Sequence, residues 1–154
     1  DMHIANQKPF LFDTGAQESA LHESALKTVS AGIKLNPNSA YLWAFRAMSK
    51  RKLGDDKGAI EDLDRAISLD KRYAWAYVCR GVSKENLHDF KGAMNDYNAS
   101  IRIHRSNLFP FIKRAHLKAV LVDWKGALRD YRYVFSLGGN AIPSIIRDLF
   151  TIRK

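Results

Sequence analysis

The sequence predicts an all-α fold, an α-solenoid of about three and a half 34-residue helix-turn-helix repeats with a C-terminal capping helix. Two observations carry this reading. Residues 40–73, 74–107 and 108–141 align without gaps at a period of 34, and eight columns are identical in all three copies. Residue frequencies of about one in twenty would give on the order of 0.1 such triple match by chance. Within each copy, apolar residues also recur at helical spacing in two successive runs, the pattern of a stacked helix pair. The identical columns are Arg46/Arg80/Arg114, Lys50/Lys84/Lys118, Leu53/Leu87/Leu121, Asp55/Asp89/Asp123, Lys57/Lys91/Lys125, Gly58/Gly92/Gly126, Ala59/Ala93/Ala127 and Asp62/Asp96/Asp130.

The elements follow in chain order. Residues 1–16 read as an N-terminal extension, because Pro9 and Gly15 interrupt any helix there. The repeat domain spans 17–141 and opens on a half-repeat, 17–39, in which Ala25, Leu26, Val29, Ile33 and Leu35 predict a helix over 17–35. Three pairs are expected next, at 42–53/56–69, 75–87/90–103 and 109–121/124–137. Their second helices carry the stripes Ala59, Ile60, Leu63, Ala66 and Ile67, then Met94, Tyr97 and Ile101, then Leu128, Tyr131, Val134 and Phe135. Asp55, Asp89 and Asp123 precede these stripes as helix N-caps, which also complement the dipole. Pro110 falls in a first turn, where its missing N–H costs nothing.

Gly58, Gly92 and Gly126 fall inside second helices, where glycine costs roughly 1 kcal/mol against alanine. Ala47, Gly81 and Ala115 on the first helices are small as well, so close approach of the two backbones is the expected reason. Gly138-Gly139 stops the last pair. A capping helix over 142–154 should follow, with Ile142, Ile145, Ile146, Leu149 and Phe150 on its apolar face.

Composition excludes several classes. The chain of 154 residues is 46% hydrophobic and 27% charged, outside the range of disorder. No apolar run approaches the roughly 20 residues of a spanning helix, and nothing in 1–16 resembles the apolar core of a signal peptide. A cytoplasmic protein, or one of an organelle lumen or stroma, is expected. Cys79 is the only cysteine, so no intramolecular disulfide forms. The five histidines, His3, His22, His88, His104 and His116, lack metal-ligand spacing. With no glycine-rich phosphate loop, nucleophile elbow or HExxH, the reading is a non-enzyme without cofactor or metal.

These residues resemble the tetratricopeptide repeat family. The period of 34, the aromatics Trp43, Tyr77 and Phe111, the small Ala47, Gly81 and Ala115, the GDDKGAI run at 54–60, Ala66 and the LNP at 35–37 match its pattern. The resemblance covers about residues 20–141. Departures lie at Lys71 and Arg105 (for proline), His88 and Val122 (for the inter-helix glycine), and Ser100 and Val134 (for alanine). The resemblance implies a scaffold that binds a partner peptide or helix in a concave groove. The groove residues would be Tyr41, Phe45, Met48, Trp75, Val78, Val82, Phe109, Ile112 and His116, with Ala44, Cys79 and Lys113 beside them. An aromatic column such as Tyr41, Trp75 and Phe109 is equally what packing between neighbouring repeats would use. Family members that clamp acidic chaperone tails present Lys, Asn and Arg where this chain has Ala44, Met48, Cys79 and Phe109. Only Lys113 fits, which argues against that ligand.

The net charge of +9 is uneven, −1 over 1–39, +2 over each of 40–73 and 74–107, and +6 over 108–154. Three partner classes suit the basic C-terminal third, an acidic protein, an anionic membrane surface or a nucleic acid, and an RNA-binding helical repeat is the alternative function. The Arg46/Arg80/Arg114 and Lys50/Lys84/Lys118 columns form a ladder suited to phosphates. Asp62, Asp96 and Asp130, however, stand 16 residues after each arginine and favour pairing within the repeat. A monomer is expected.

Overall fold

The computed structural model describes residues 14–138. Among them lie seven helices and no strand: α1 (Thr14–Leu35), α2 (Ala40–Lys52), α3 (Asp56–Leu69), α4 (Ala74–Asn86), α5 (Phe90–Ile103), α6 (Phe109–Val120) and α7 (Trp124–Ser136). Each helix packs on its neighbours in sequence, and α2 also touches α4, as in a stack of helix pairs. The all-α solenoid stands. Helix α1 begins three residues before the expected position 17, so Gly15 lies in its first turn rather than outside it. The rest of the N-terminal extension and the capping helix over 142–154 lie outside the described residues.

The turn inside each pair is the same despite its sequence. Gly54, His88 and Val122 all take positive φ, at 83°, 63° and 66°. In each turn the next N–H returns to the carbonyl five residues back: Asp55 to Lys50, Asp89 to Lys84 and Asp123 to Lys118, at 2.8–2.9 Å. This is a Schellman closure of the first helix. The tertiary stack therefore holds a histidine and a β-branched valine in a region that glycine enters freely.

The second helix starts at once. Asp55, Asp89 and Asp123 accept from the N–H of Gly58, Gly92 and Gly126, each at 2.9 Å. This corrects the expected role of those glycines. A β-carbon there would collide with the capping carboxylate rather than with the paired helix. Glycine serves the cap, and close helix approach belongs to the column of Ala47, Gly81 and Ala115, all buried.

Small residues line the pair interfaces and larger ones fill between them. Ala44, Ala47, Ala59, Leu63 and Ala66 form the first core, onto which Ala76 and Cys79 of α4 pack. Val78, Ala93, Tyr97 and Leu117 continue it across the next boundary. Trp43 and Tyr77 fasten α2 and α4 each to the loop before it, while Phe111 of the same column packs on Tyr133. Trp43 Nε1 donates to the Pro37 carbonyl at 2.8 Å, and Tyr77 Oη to the Lys71 carbonyl at 3.3 Å.

Candidate functional site

The repeated charges are satisfied inside the stack. Arg46 donates through Nε and Nη2 to Asp62 at 2.7 and 2.6 Å. Arg80 holds Asp96 the same way at 2.9 and 2.6 Å, and Arg114 holds Asp130 at 2.8 and 2.7 Å. Each aspartate is buried and takes a second cation, Lys50, Lys84 or Lys118, at 2.8–3.0 Å. Each arginine also lies over an aromatic ring one turn earlier, Trp43, Tyr77 or Phe111, with centroid distances of 4.7, 5.5 and 5.4 Å. The remaining nitrogen reaches backwards, so that Arg80 Nη1 donates to Asp64, and Arg114 Nη1 to Asn98, of the preceding repeat at 2.6 Å. Burial opposes the charge on Arg80, but the bonds to Asp96 and Asp64 outweigh it and hold its pKa above the ordinary range. Both basic columns thus serve the fold.

Columns that change from repeat to repeat make up the face of the first helices. There Tyr41 and Phe45 stack with centroids 6.0 Å apart and are 62% and 39% exposed. Trp75 meets Phe109 at 5.7 Å; Phe109 is exposed, and Trp75 is half-buried against the cores on either side. Met48, Val82 and Ile112 are half-buried and His116 is exposed. Val78 departs from expectation: it has no exposed surface, because it is the contact residue between the second core and Leu117. Ala44 and Cys79 are buried likewise. Burial pushes the Cys79 thiol up to about 11, against the lowering influence of Arg51.

Two further groups lie on this face. Glu85 accepts from the Tyr97 hydroxyl at 2.6 Å and stands 3.5 Å from Lys113 Nζ and 3.7 Å from His116 Nδ1. Burial, then this bond to Glu85, holds the Tyr97 hydroxyl above its ordinary pKa. Between α1 and α2 is a cleft of about 280 Å³, with Leu21, Ala25, Phe45 and Met48 among its walls and Arg51 and Lys52 along one side. Sequence reasoning missed Leu21, Ala25 and Arg51. The signal was the column Arg51/Glu85/Ala119, which varies where its neighbours repeat. On the outside of the last pair, Lys125, Arg129 and Arg132 line a depression with Leu128. Among the described residues no group of three His, Cys, Asp or Glu could hold a metal ion, and no helix is long and apolar enough to cross a membrane.

No protein-family model and no curated protein matches the chain. Solved structures do match. MamA superposes with a TM-score of 0.70 at 18% identity, over 81% of this chain and 74% of that one. The first TPR of Spaghetti (RPAP3), bound to the HSP90 peptide SRMEEVD, gives 0.65 at 21%, over 71% and 88%. The second TPR domain of human RPAP3, in complex with the HSP70 peptide SGPTIEEVD, gives 0.62 at 26%, over 69% and 90%. Stacked helix pairs with a variable inner column place the chain among the helical-repeat solenoids. Within that class its fold is the tetratricopeptide-repeat fold.

Proposed function

We propose that the chain is a protein–protein interaction scaffold, whose face of first helices receives a peptide or helix of a partner. The contact residues would be Tyr41, Phe45, Met48, Trp75, Val82, Phe109, Ile112 and His116. One observation carries the reading: two aromatic pairs, Tyr41–Phe45 and Trp75–Phe109, lie on this face with three of the four rings exposed. Exposed apolar surface of this kind marks interaction sites, and aromatics dominate their energetics. The peptide complexes among the similar structures support the same use of the fold. Their EEVD-type ligands suit this chain less well. Ala44 and Cys79 are buried, Met48 and Phe109 are apolar, and Lys113 stands beside Glu85.

RNA binding draws no support from the two basic columns, whose cations are paired with Asp62, Asp96 and Asp130. The test uses a partner captured from native extract and then purified. Tyr41→Ala and Phe109→Ala should each weaken its binding by about 2 kcal/mol with little change in stability. Trp75→Ala should lower both. Affinity should hold between 50 and 200 mM salt, where phosphate binding would fall by orders of magnitude, on the order of 10³-fold. Unchanged affinity in both Tyr41→Ala and Phe109→Ala would end the proposal.

A further inference from the structure

At both boundaries between full repeats, one bond of fixed spacing joins a second helix to the next first helix. Arg80 Nη1 donates to Asp64 and Arg114 Nη1 to Asn98, each 16 residues back and at 2.6 Å. The acceptor column runs Asp64, Asn98, Arg132, so its sign turns from acidic to basic along the stack. The donor column runs Arg46, Arg80, Arg114, and 16 residues beyond Arg132 it continues into Asp148. Both columns change sign at the same boundary. Opposite charges therefore still stand 16 residues apart there, with their places exchanged. The apolar surface of α7 points to the same boundary. Ile67 and Ile101 are 6% and 7% exposed, because α4 packs over the first and α6 over the second. The next residue of that column, Phe135, is 60% exposed among the described residues. Phe90 and Met94 of α5 are half-buried, whereas their counterparts Trp124 and Leu128 on α7 are exposed. Helix α7 thus presents the surface that a first helix covers at the two earlier boundaries. The 34-residue register puts residue 142 in the column of 40, 74 and 108, and the stripe Ile142, Ile145, Ile146, Leu149 and Phe150 follows it.

We propose that residues 142–154 cover this face in the register of a fourth first helix, with Asp148 paired to Arg132, and that the exchanged charges reserve the last boundary for this segment. A first helix of a second copy would bring Arg46, Arg80 or Arg114 to Arg132. Asp148 placed against α3 would meet Asp64 in the same way. Both wrong pairings set like charges together, while the right one joins opposite charges. Apolar contact supplies affinity without that preference, since burial of Trp124, Leu128 and Phe135 is non-directional. The connection favours the same occupant. Only residues 137–141 separate the segment from α7, and a short linker holds it at an effective concentration on the order of millimolar. The inference is independent of the scaffold reading. It closes the α7 end of the stack and leaves the face of first helices for a partner.

The test is a charge-reversal cycle on the whole chain, read by amide hydrogen exchange. Amides of residues 145–152 should be protected in the wild type. They should exchange at least about threefold faster in Arg132→Glu and in Asp148→Lys, the worth of an exposed ion pair turned repulsive. The double variant should regain the protection, because it restores the charge order of the Asp64–Arg80 boundary. In about 1 M salt the losses of the single variants should shrink, since exposed charges are screened. Phe135→Glu should remove the protection at either salt concentration. Amides of α5 serve as the reference and should not change in any variant. Should a reversal unfold the chain, Arg132→Gln and Asp148→Asn make the milder cycle, in which the double variant loses no more than either single one. Unprotected amides at 145–152 in the wild type, additive losses in the double variant, or losses indifferent to salt would overturn the proposal. A second copy on this face would overturn it as well, seen in sedimentation as a dimer that Phe135→Glu dissociates.

Discussion

Gly81 on α4 faces the ring of Tyr97 on α5 so closely that a β-carbon on Gly81 would lie 2.7 Å from Cε1 and 3.0 Å from Cδ1. Tyr97 is completely buried, and its hydroxyl is tied to Glu85 at 2.6 Å, which opposes a shift of the ring. In the first repeat the same two columns hold Ala47 and Leu63, where the smaller Leu63 leaves room for a methyl group. In the third repeat Ala115 packs with Tyr131 beside Ala119, where no glutamate ties the hydroxyl, so the tether to Glu85 is what sets the tight Gly81–Tyr97 contact apart.

Gly81→Ala is therefore expected to destabilise the chain by about 1–3 kcal/mol through overpacking, despite alanine's advantage of roughly 1 kcal/mol in helix propensity. Urea unfolding measures this directly. Adding Tyr97→Leu to Gly81→Ala should recover part of the loss, because it recreates the Ala47/Leu63 arrangement. A single variant as stable as the wild type would show that Tyr97 can move.

The two acidic partners of Arg80 should differ sharply. Asp96 is buried, so Arg80→Ala leaves a carboxylate without its main partner and should cost about 2–4 kcal/mol. Asp64 is 57% exposed at its side chain, so Asp64→Ala should cost less than about 1 kcal/mol despite the 2.6 Å contact. Thermal or urea melts of the two variants decide the matter. A loss under about 0.5 kcal/mol in Arg80→Ala would mean that Lys84 alone suffices for Asp96.

Val122 offers a gain. It sits at φ 66° and is 71% exposed, so its side chain contributes little packing while its backbone is held in the left-handed region. That region costs an L-residue roughly 1–2 kcal/mol, and glycine escapes the penalty but loses more entropy on folding. Val122→Gly should stabilise by a net of about 1 kcal/mol, read as a higher urea midpoint at unchanged slope. No change would show that the turn relaxes without strain.

Much of this was legible in the sequence because repetition makes local signals add. Asp55, Asp89 and Asp123 were readable as caps, since a side-chain acceptor three residues before a glycine N–H is a local matter. The Arg46–Asp62, Arg80–Asp96 and Arg114–Asp130 pairs were readable because a constant separation of 16 residues joins fixed points on the two helices of one repeat. The capping glycines were misjudged for the opposite reason. Their position inside the second helix suggests helix contact, whereas in the folded chain the carboxylate of the cap fills the space beside them.

The sequence by itself determined the architecture: the period, the helix pairs, their caps and the internal use of the basic columns. All of these follow from contacts within 34 residues that recur three times. Only the tertiary structure decided which residues face outward between repeats. Val78 and Phe109 are alike as apolar residues of first helices, yet Leu117 and the second core cover Val78 while Phe109 is 41% exposed. Likewise Arg51 and Arg46 both lie on α2, but only Arg46 meets an aspartate. The physical reason is that burial across a repeat boundary depends on how one pair sits against the next. That placement is set by the summed volumes of side chains from different repeats, and no local pattern records it.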